Sequence, residues 1–208
     1  VEFAPLIETT GVVFGVAGVW LTIRQHVWCW PVGIVSVALF AVVFFEARLY
    51  ASAALQLGYV AISLYGWYAW RHPREGQCEL PVTQAPVRVL WALAAAAAMG
   101  TACLGLFLRD RTDAVWPLVD AGTTSFSLAA QFMTTRKWME TWIVWIAVDA
   151  IYVAMYLSQG LVQTTGLYAV FLVLAVLGYR EWRSSMTRER QRFASVNVAG
   201  SSGESEGS

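Results

Sequence analysis

Seven long apolar runs dominate this chain: residues 6–23, 28–45, 50–70, 87–108, 115–133, 138–157 and 161–182. Each is close to the roughly 20 residues a helix needs to cross the hydrocarbon core of a bilayer. In lipid, backbone N–H and C=O groups find partners only within the protein, which leaves helices or a closed barrel. Barrel strands run to about ten residues with alternating polarity, whereas these runs are longer and apolar all round. The expected fold is an all-α polytopic membrane protein with seven transmembrane helices. Composition agrees, because only 13% of the 208 residues are charged, about half the share of a soluble domain. A soluble enzyme is close to excluded.

Arginine and lysine orient the bundle. The N-terminal side would carry Arg48, Arg109 and Arg111, and the opposite side Arg24, Arg71, Arg74, Arg88, Arg136, Lys137 and the five arginines from Arg180 to Arg192. The expectation is an N-terminus outside and a cytoplasmic C-terminus. Residues 1–193 then form one transmembrane domain, and the Gly/Ser-rich 194–208 a disordered tail. Basic and acidic residues balance at 14 each, so no nucleic-acid partner is expected. Most tryptophans fall near span ends, where an interfacial belt is the ordinary role. Three unpatterned cysteines and two histidines suggest neither a disulfide framework nor a metal or cofactor site.

The chain also matches itself at one constant offset, the step from Arg24 to Arg136. Arg24, Trp30, Ile34, Ala38, Gly66, Trp70 and Arg71 recur as Arg136, Trp142, Ile146, Ala150, Gly178, Trp182 and Arg183. Residues 6–70 thus correspond to 115–182, with 87–108 as a linker helix. A shift of four spans preserves direction, so the repeats are parallel, and parallel repeats carry transporter sites near the midplane between halves. This 3+1+3 plan resembles that of the SWEET sugar transporters.

Polar residues at membrane depth mark function, because burying them in lipid is costly. The sixth run carries Trp142, Trp145, Asp149, Tyr152 and Tyr156 on one helix face, the fifth Asp120, Thr124, Ser127 and Gln131, the third Ser52, Gln56, Tyr59, Ser63 and Gly66. Three such stripes facing one another would wall a polar, aromatic cavity. Ser52, Ser63, Thr124 and Ser127 also suit hydrogen bonding between helices. Asp120 suits capping or pairing with Arg109 or Arg111 as well as a ligand. Asp149 sits mid-span with no basic residue at its depth. A carboxylate among aromatic rings fits a flat cationic ring through charge and cation–π attraction, and Gln56 and Gln131 can read hydroxyls or an amide. Gly11, Gly15, Gly18 and Gly33 are expected at close helix contacts. A retinal photoreceptor needs a buried lysine; the one lysine, Lys137, falls in a loop. No Ser/His pair or ligand cluster at depth supports an enzyme.

The runs WCWPVGIVSVALFAVVFFEARLYASAALQLGYVAISLYGWYAW (28–70), MTTRKWMETWIVWIAVDAIYVAMYLSQGL (133–161) and LYAVFLVLAVLGYREW (167–182) resemble the PnuC family of bacterial vitamin transporters. The resemblance implies a 3+1+3 fold in the inner membrane and uptake of nicotinamide riboside by facilitated diffusion. It also implies a cytoplasmic kinase that traps the product, and a homo-oligomer of trimer type. Thiamine-type (PnuT) and riboflavin members also exist. The family's substrate-lining positions fall on Gln56, Tyr59, Trp142, Trp145 and Asp149. With Asp120, Gln131 and Tyr152 from the helix faces, these make up the set of candidate substrate-binding residues. Asp149 stands where nicotinamide riboside carriers often have asparagine. A carboxylate there favours a cationic ring, nicotinamide riboside and thiamine alike, over neutral riboflavin, and the resemblance puts nicotinamide riboside first.

Overall fold

The computed structural model describes residues 4–46, 50–73, 79–111 and 116–204. Seven α-helices form among them: α1 (Ala4–Ile23), α2 (Cys29–Glu46), α3 (Tyr50–Arg71), α4 (Val87–Arg111), α5 (Pro117–Thr135), α6 (Thr141–Ser158) and α7 (Val162–Glu204). Four carry segments long and apolar enough to cross a membrane: Cys29–Glu46, Val87–Asp110, Thr141–Ser158 and Val162–Glu189; α1 has a shorter apolar stretch, Thr9–Ile23. Helices α3 and α5 fall short because each devotes one face to hydroxyl and amide side chains. At the C-terminal end α7 continues as helix through Glu204, past the boundary at Phe193 where the sequence suggests a disordered tail. No proline interrupts it there, and helix propagation continues where nothing breaks it. Arg48, Arg74 and Cys78 lie outside the described residues, as do the side chains of Ser52 and Arg111.

Six helices close a ring. Helix α1 packs on α2 and α2 on α3, α5 on α6 and α6 on α7; the groups meet where α3 faces α5 and α1 faces α7, while α4 leans on α5 from outside. Polarity is inverted relative to a soluble domain. Leu57, Trp91 and Val162 are among many large apolar side chains exposed on the outside, while Ser36, Ser63, Thr123, Ser127, Thr134, Thr141 and Asp149 are buried. An apolar exterior this extensive calls for lipid or protein to cover it.

The turns joining α1 to α2 and α5 to α6 share backbone hydrogen bonds at matched positions. Gln25 N donates to Thr22 O (2.9 Å), His26 N to Leu21 O (2.9 Å) and Cys29 N to His26 O (2.9 Å). In the second turn, at the repeat offset, Lys137 N donates to Thr134 O (3.0 Å), Trp138 N to Met133 O (3.2 Å) and Thr141 N to Trp138 O (3.1 Å). Gln25 and Lys137 both hold positive φ, 56° and 50°, a left-handed conformation uncommon outside glycine. Their side chains meet, with Lys137 Nζ donating to Gln25 Oε1 at 3.3 Å. The connector ahead of α4 is pinned to the second turn, where Thr83 N donates to Lys137 O (3.1 Å), Met139 N to Thr83 O (2.9 Å) and Ala85 N to Glu140 Oε2 (3.0 Å).

Behind these turns lies a core of four tryptophans. Trp30 meets Trp70 edge to face at 5.3 Å and 88°, Trp142 meets Trp182 at 5.3 Å and 89°, and Trp70 and Trp182 join the pairs at 6.4 Å. Trp30 lies over Gly66 and Trp142 over Gly178, each where a Cβ would collide with the ring. Trp70 Nε1 donates to Thr134 O (3.3 Å) and Trp182 Nε1 to Thr22 O (3.1 Å). These four are therefore buried core, not the interfacial belt the sequence suggests. Trp20, Trp28, Trp91 and Trp116 are the exposed ones. Edge-to-face pairs add about 0.5–1.5 kcal/mol each beyond the area they bury.

Candidate functional site

The six-helix ring encloses a cavity of about 540 Å³. All the candidate residues line it: Gln56 and Tyr59 from α3, Asp120 and Gln131 from α5, and Trp142, Trp145, Asp149 and Tyr152 from α6. Periodicity brings them together, since positions three and four apart share a helix face and the ring turns those faces of α3, α5 and α6 inward. Tyr156, Thr124, Ser127 and Ser63 join them on the same stripes, while α1, α2 and α7 complete the wall with Gly15, Gly18, Gly33, Ser36, Tyr168 and Phe171. Gly66, grouped with the α3 stripe in the sequence, packs against Trp30 instead. A second, smaller cavity of about 320 Å³, lined by Gln25, Glu79, Arg188 and Glu189 among others, holds none of the candidates.

Several polar groups in the cavity wall are committed to one another. Tyr59 Oη and Ser127 Oγ form a short hydrogen bond, and Gln131 Nε2 donates to Ser63 Oγ at 3.2 Å. These bonds tie α3 to α5, so Ser63 and Ser127 serve the interhelical role as well as facing the cavity. Ser36 Oγ donates to Gly11 O (2.7 Å), tying α1 to α2. Thr134 and Thr141 share a hydroxyl contact of 2.9 Å at the tryptophan end.

Asp149 differs from all of these. It is 5% exposed, lines the cavity, and makes no hydrogen bond or ion pair among the described residues. The one ion pair among them is Arg188–Glu181, at 3.1 Å on the surface. A buried carboxylate without a partner is costly, so its presence calls for a ligand, a proton or water. Asp120 follows Trp116 and Pro117 at the start of α5, where no side chain caps the helix. It therefore does not serve as the cap, and it makes no ion pair among the described residues.

Tyrosines form the far wall. Tyr168 packs against Tyr152 at 4.6 Å and stacks with Tyr156 at 5.3 Å. Tyr168 is a lining residue that the helix-face reading misses, because α7 shows no polar stripe. The repeat could have found it, since Tyr168 is the counterpart of Gln56 at the repeat offset. Of the glycines expected at close contacts, a Cβ on Gly11 would lie 3.2 Å from Phe40, one on Gly15 3.2 Å from Ser36 and one on Gly18 3.5 Å from the Gly33 backbone. A Cβ on Gly33 itself would meet nothing within 4 Å.

A helical ring, apolar outside and polar within, around a cavity sized for a small organic molecule defines a membrane transporter. The family follows from the sequence: the chain belongs to the Nicotinamide mononucleotide transporter family, whose profile matches residues 5–184. It is 28% identical to the nicotinamide riboside transporter PnuC of Escherichia coli (strain K12), over 88% of this chain and 87% of that one. It is equally 28% identical to the riboflavin/roseoflavin transporter RibM of Streptomyces davaonensis, over 84% and 83%. The crystal structure of the vitamin B3 transporter PnuC superposes with a TM-score of 0.69 at 24% identity, covering 88% of this chain and 83% of that one, and shares the fold. These relatives are transporters, not enzymes.

Proposed function

We propose that this protein imports a vitamin precursor with a cationic heteroaromatic ring across a bacterial inner membrane, nicotinamide riboside first and thiamine as the alternative. Passage is by facilitated diffusion, with a separate cytoplasmic kinase trapping the product. The candidate residues together bind the substrate. Asp149 supplies the counter-charge, Trp142, Trp145 and Tyr152 stack on the substrate's ring, and Gln56, Tyr59 and Gln131 read its polar substituents. Asp120 attracts the cation at the cavity's other end.

The observation that carries this reading is the unpaired, buried Asp149 in an aromatic cavity. Charge complementarity in a desolvated site favours a quaternary ring nitrogen, while a neutral isoalloxazine gains no charge pairing from the carboxylate. Relatives named for nicotinamide riboside and for riboflavin are equally similar to this chain, so the site's chemistry has to decide between them.

The reading includes seven membrane spans in a 3+1+3 parallel arrangement, N-terminus outside, and a homotrimer. The matched turns and tryptophan contacts at the repeat offset support the repeat, and the excess of Arg and Lys on the tryptophan side supports the orientation. Isothermal titration of the purified protein with nicotinamide riboside, thiamine and riboflavin in parallel tests the function. A cationic vitamin should bind, and Asp149→Ala should weaken it by about tenfold or more. Binding of riboflavin alone, or an Asp149→Ala variant that binds as the wild type does, would overturn the reading.

A further inference from the structure

We propose that Gly33 is the specificity-determining position of this cavity: the substrate's ring lies against its bare backbone, and the size of residue 33 sets which ring enters. The proposal rests on the reading that this cavity is the substrate site. Glycine inside a helix weakens it relative to alanine, so a glycine within α2 needs a cause. Tryptophan rings supply the cause at Gly66 and Gly178, and the contacts of α1 with α2 supply it at Gly11, Gly15 and Gly18. Gly33 takes part in that contact through its backbone, which Gly18 faces, but its own missing side chain points elsewhere. It lines the cavity, and a Cβ there would meet no atom within 4 Å. A side chain at position 33 would therefore enter the cavity rather than meet protein, unlike one at Gly58, which lies off the cavity.

The other half of the chain shows what the space is for. The repeat counterpart of Gly33 is Trp145, which lines the same cavity. One half therefore brings an indole to the site where the other brings bare backbone. One helical turn on, Val37 and Asp149 are likewise paired, with the carboxylate on the side of the indole. A cationic ring set between Gly33 and Trp145 has an aromatic face on one side, room on the other and a counter-charge within the same wall. Nicotinamide is a single ring, thiamine two linked rings and isoalloxazine three fused ones, so side-chain volume at position 33 discriminates among them.

The test is a size series, Gly33→Ala and Gly33→Val, with Gly58→Ala as control. Gly58 also has no atom within 4 Å of a Cβ but lies off the cavity. Each full-length variant is titrated with nicotinamide riboside, thiamine and riboflavin, and its melting temperature is measured in the same detergent. Gly33→Ala should melt at or above the wild-type temperature while binding about tenfold or more weakly, with a further loss in Gly33→Val. Gly58→Ala should bind as wild type. A Gly33→Ala variant that binds as wild type, or that melts well below it, would overturn this inference while leaving the transport reading intact. A wild type that binds none of the three overturns that reading and this inference together.

Discussion

Helices α1–α3 and α5–α7 share a frame and differ in contents. Where the turns and tryptophans lie, positions paired by the constant sequence offset hold the same side chains: Thr22 and Thr134, Trp30 and Trp142, Gly66 and Gly178, Trp70 and Trp182. They also make the same contacts, each glycine against its tryptophan and each outer indole N–H on the opposite half's threonine carbonyl. Deeper in the cavity the pairs part company. Gly33 stands opposite Trp145 in the pairing, Val37 opposite Asp149, Val19 opposite Gln131 and Gln56 opposite Tyr168. A vitamin has no twofold axis, so a site that reads one cannot be symmetric. Like pairs build the frame, with Trp142 also lining the cavity, and unlike pairs build the rest of the site.

The sharpest way to break that division is to make an unlike pair alike. Asp149→Val copies Val37 into the second half, removing a buried carboxylate that has no partner among the described residues. Affinity for the cationic vitamin should fall by about a hundredfold, roughly 2.7 kcal/mol, with the melting temperature unchanged or raised, because a buried charge has left. Both are read from one titration and one melt. A fall in stability with binding retained would move Asp149 from the site to the frame.

Like pairs should respond alike. A Cβ on Gly178 would stand 2.5 Å from the Trp142 ring, and Gly66 meets Trp30 in the same way. Gly66→Ala and Gly178→Ala should therefore each cost about 1–3 kcal/mol of stability through overpacking. Unequal losses would show that the two halves bear on the fold differently. A finer contrast lies within each pair. Trp70 and Trp182 donate hydrogen bonds, whereas the buried Nε1 groups of Trp30 and Trp142 have no partner among the described residues. Trp182→Phe should therefore cost about 1 kcal/mol more than Trp142→Phe, measured as the difference between two melting curves.

Much of this was legible in the sequence, for a physical reason. Lipid forces long apolar runs into helices, so the seven helices could be read from run length. Period-3.6 spacing fixes which side chains share a face, so all the candidates found one cavity. What the sequence could not supply is which residues of an apolar helix turn inward. Tyr168 and Gly33 sit on helices without a polar stripe, and burial of Trp30, Trp70, Trp142 and Trp182 depends on packing between elements distant in the chain. A tryptophan near a span end looks the same whether it meets headgroups or another tryptophan.

Where the two halves meet, they differ again. Between α3 and α5 the seam is hydrogen-bonded, Tyr59 to Ser127 and Gln131 to Ser63. The matching positions between α1 and α7 are Phe171 against Gly15, whose Cβ would lie 3.7 Å from the ring, and Ala175 with Val19. Beyond the Trp182–Thr22 bond at its tryptophan end, the glycine-closed stretch of the α1–α7 seam can part without stranding polar side chains, while the same stretch of the α3–α5 seam leaves hydroxyls and an amide unsatisfied if it opens. The bonds are individually weak, because interhelical hydrogen bonds in membranes average about 0.6 kcal/mol. Ser63→Ala should accordingly lower stability by about that much and leave equilibrium affinity nearly unchanged. It should also speed exchange in uptake assays, by freeing the seam that resists opening. If Ser63→Ala slows uptake at unchanged affinity, the bonded seam is the one that guides the motion, and the glycine seam is the one that stays shut.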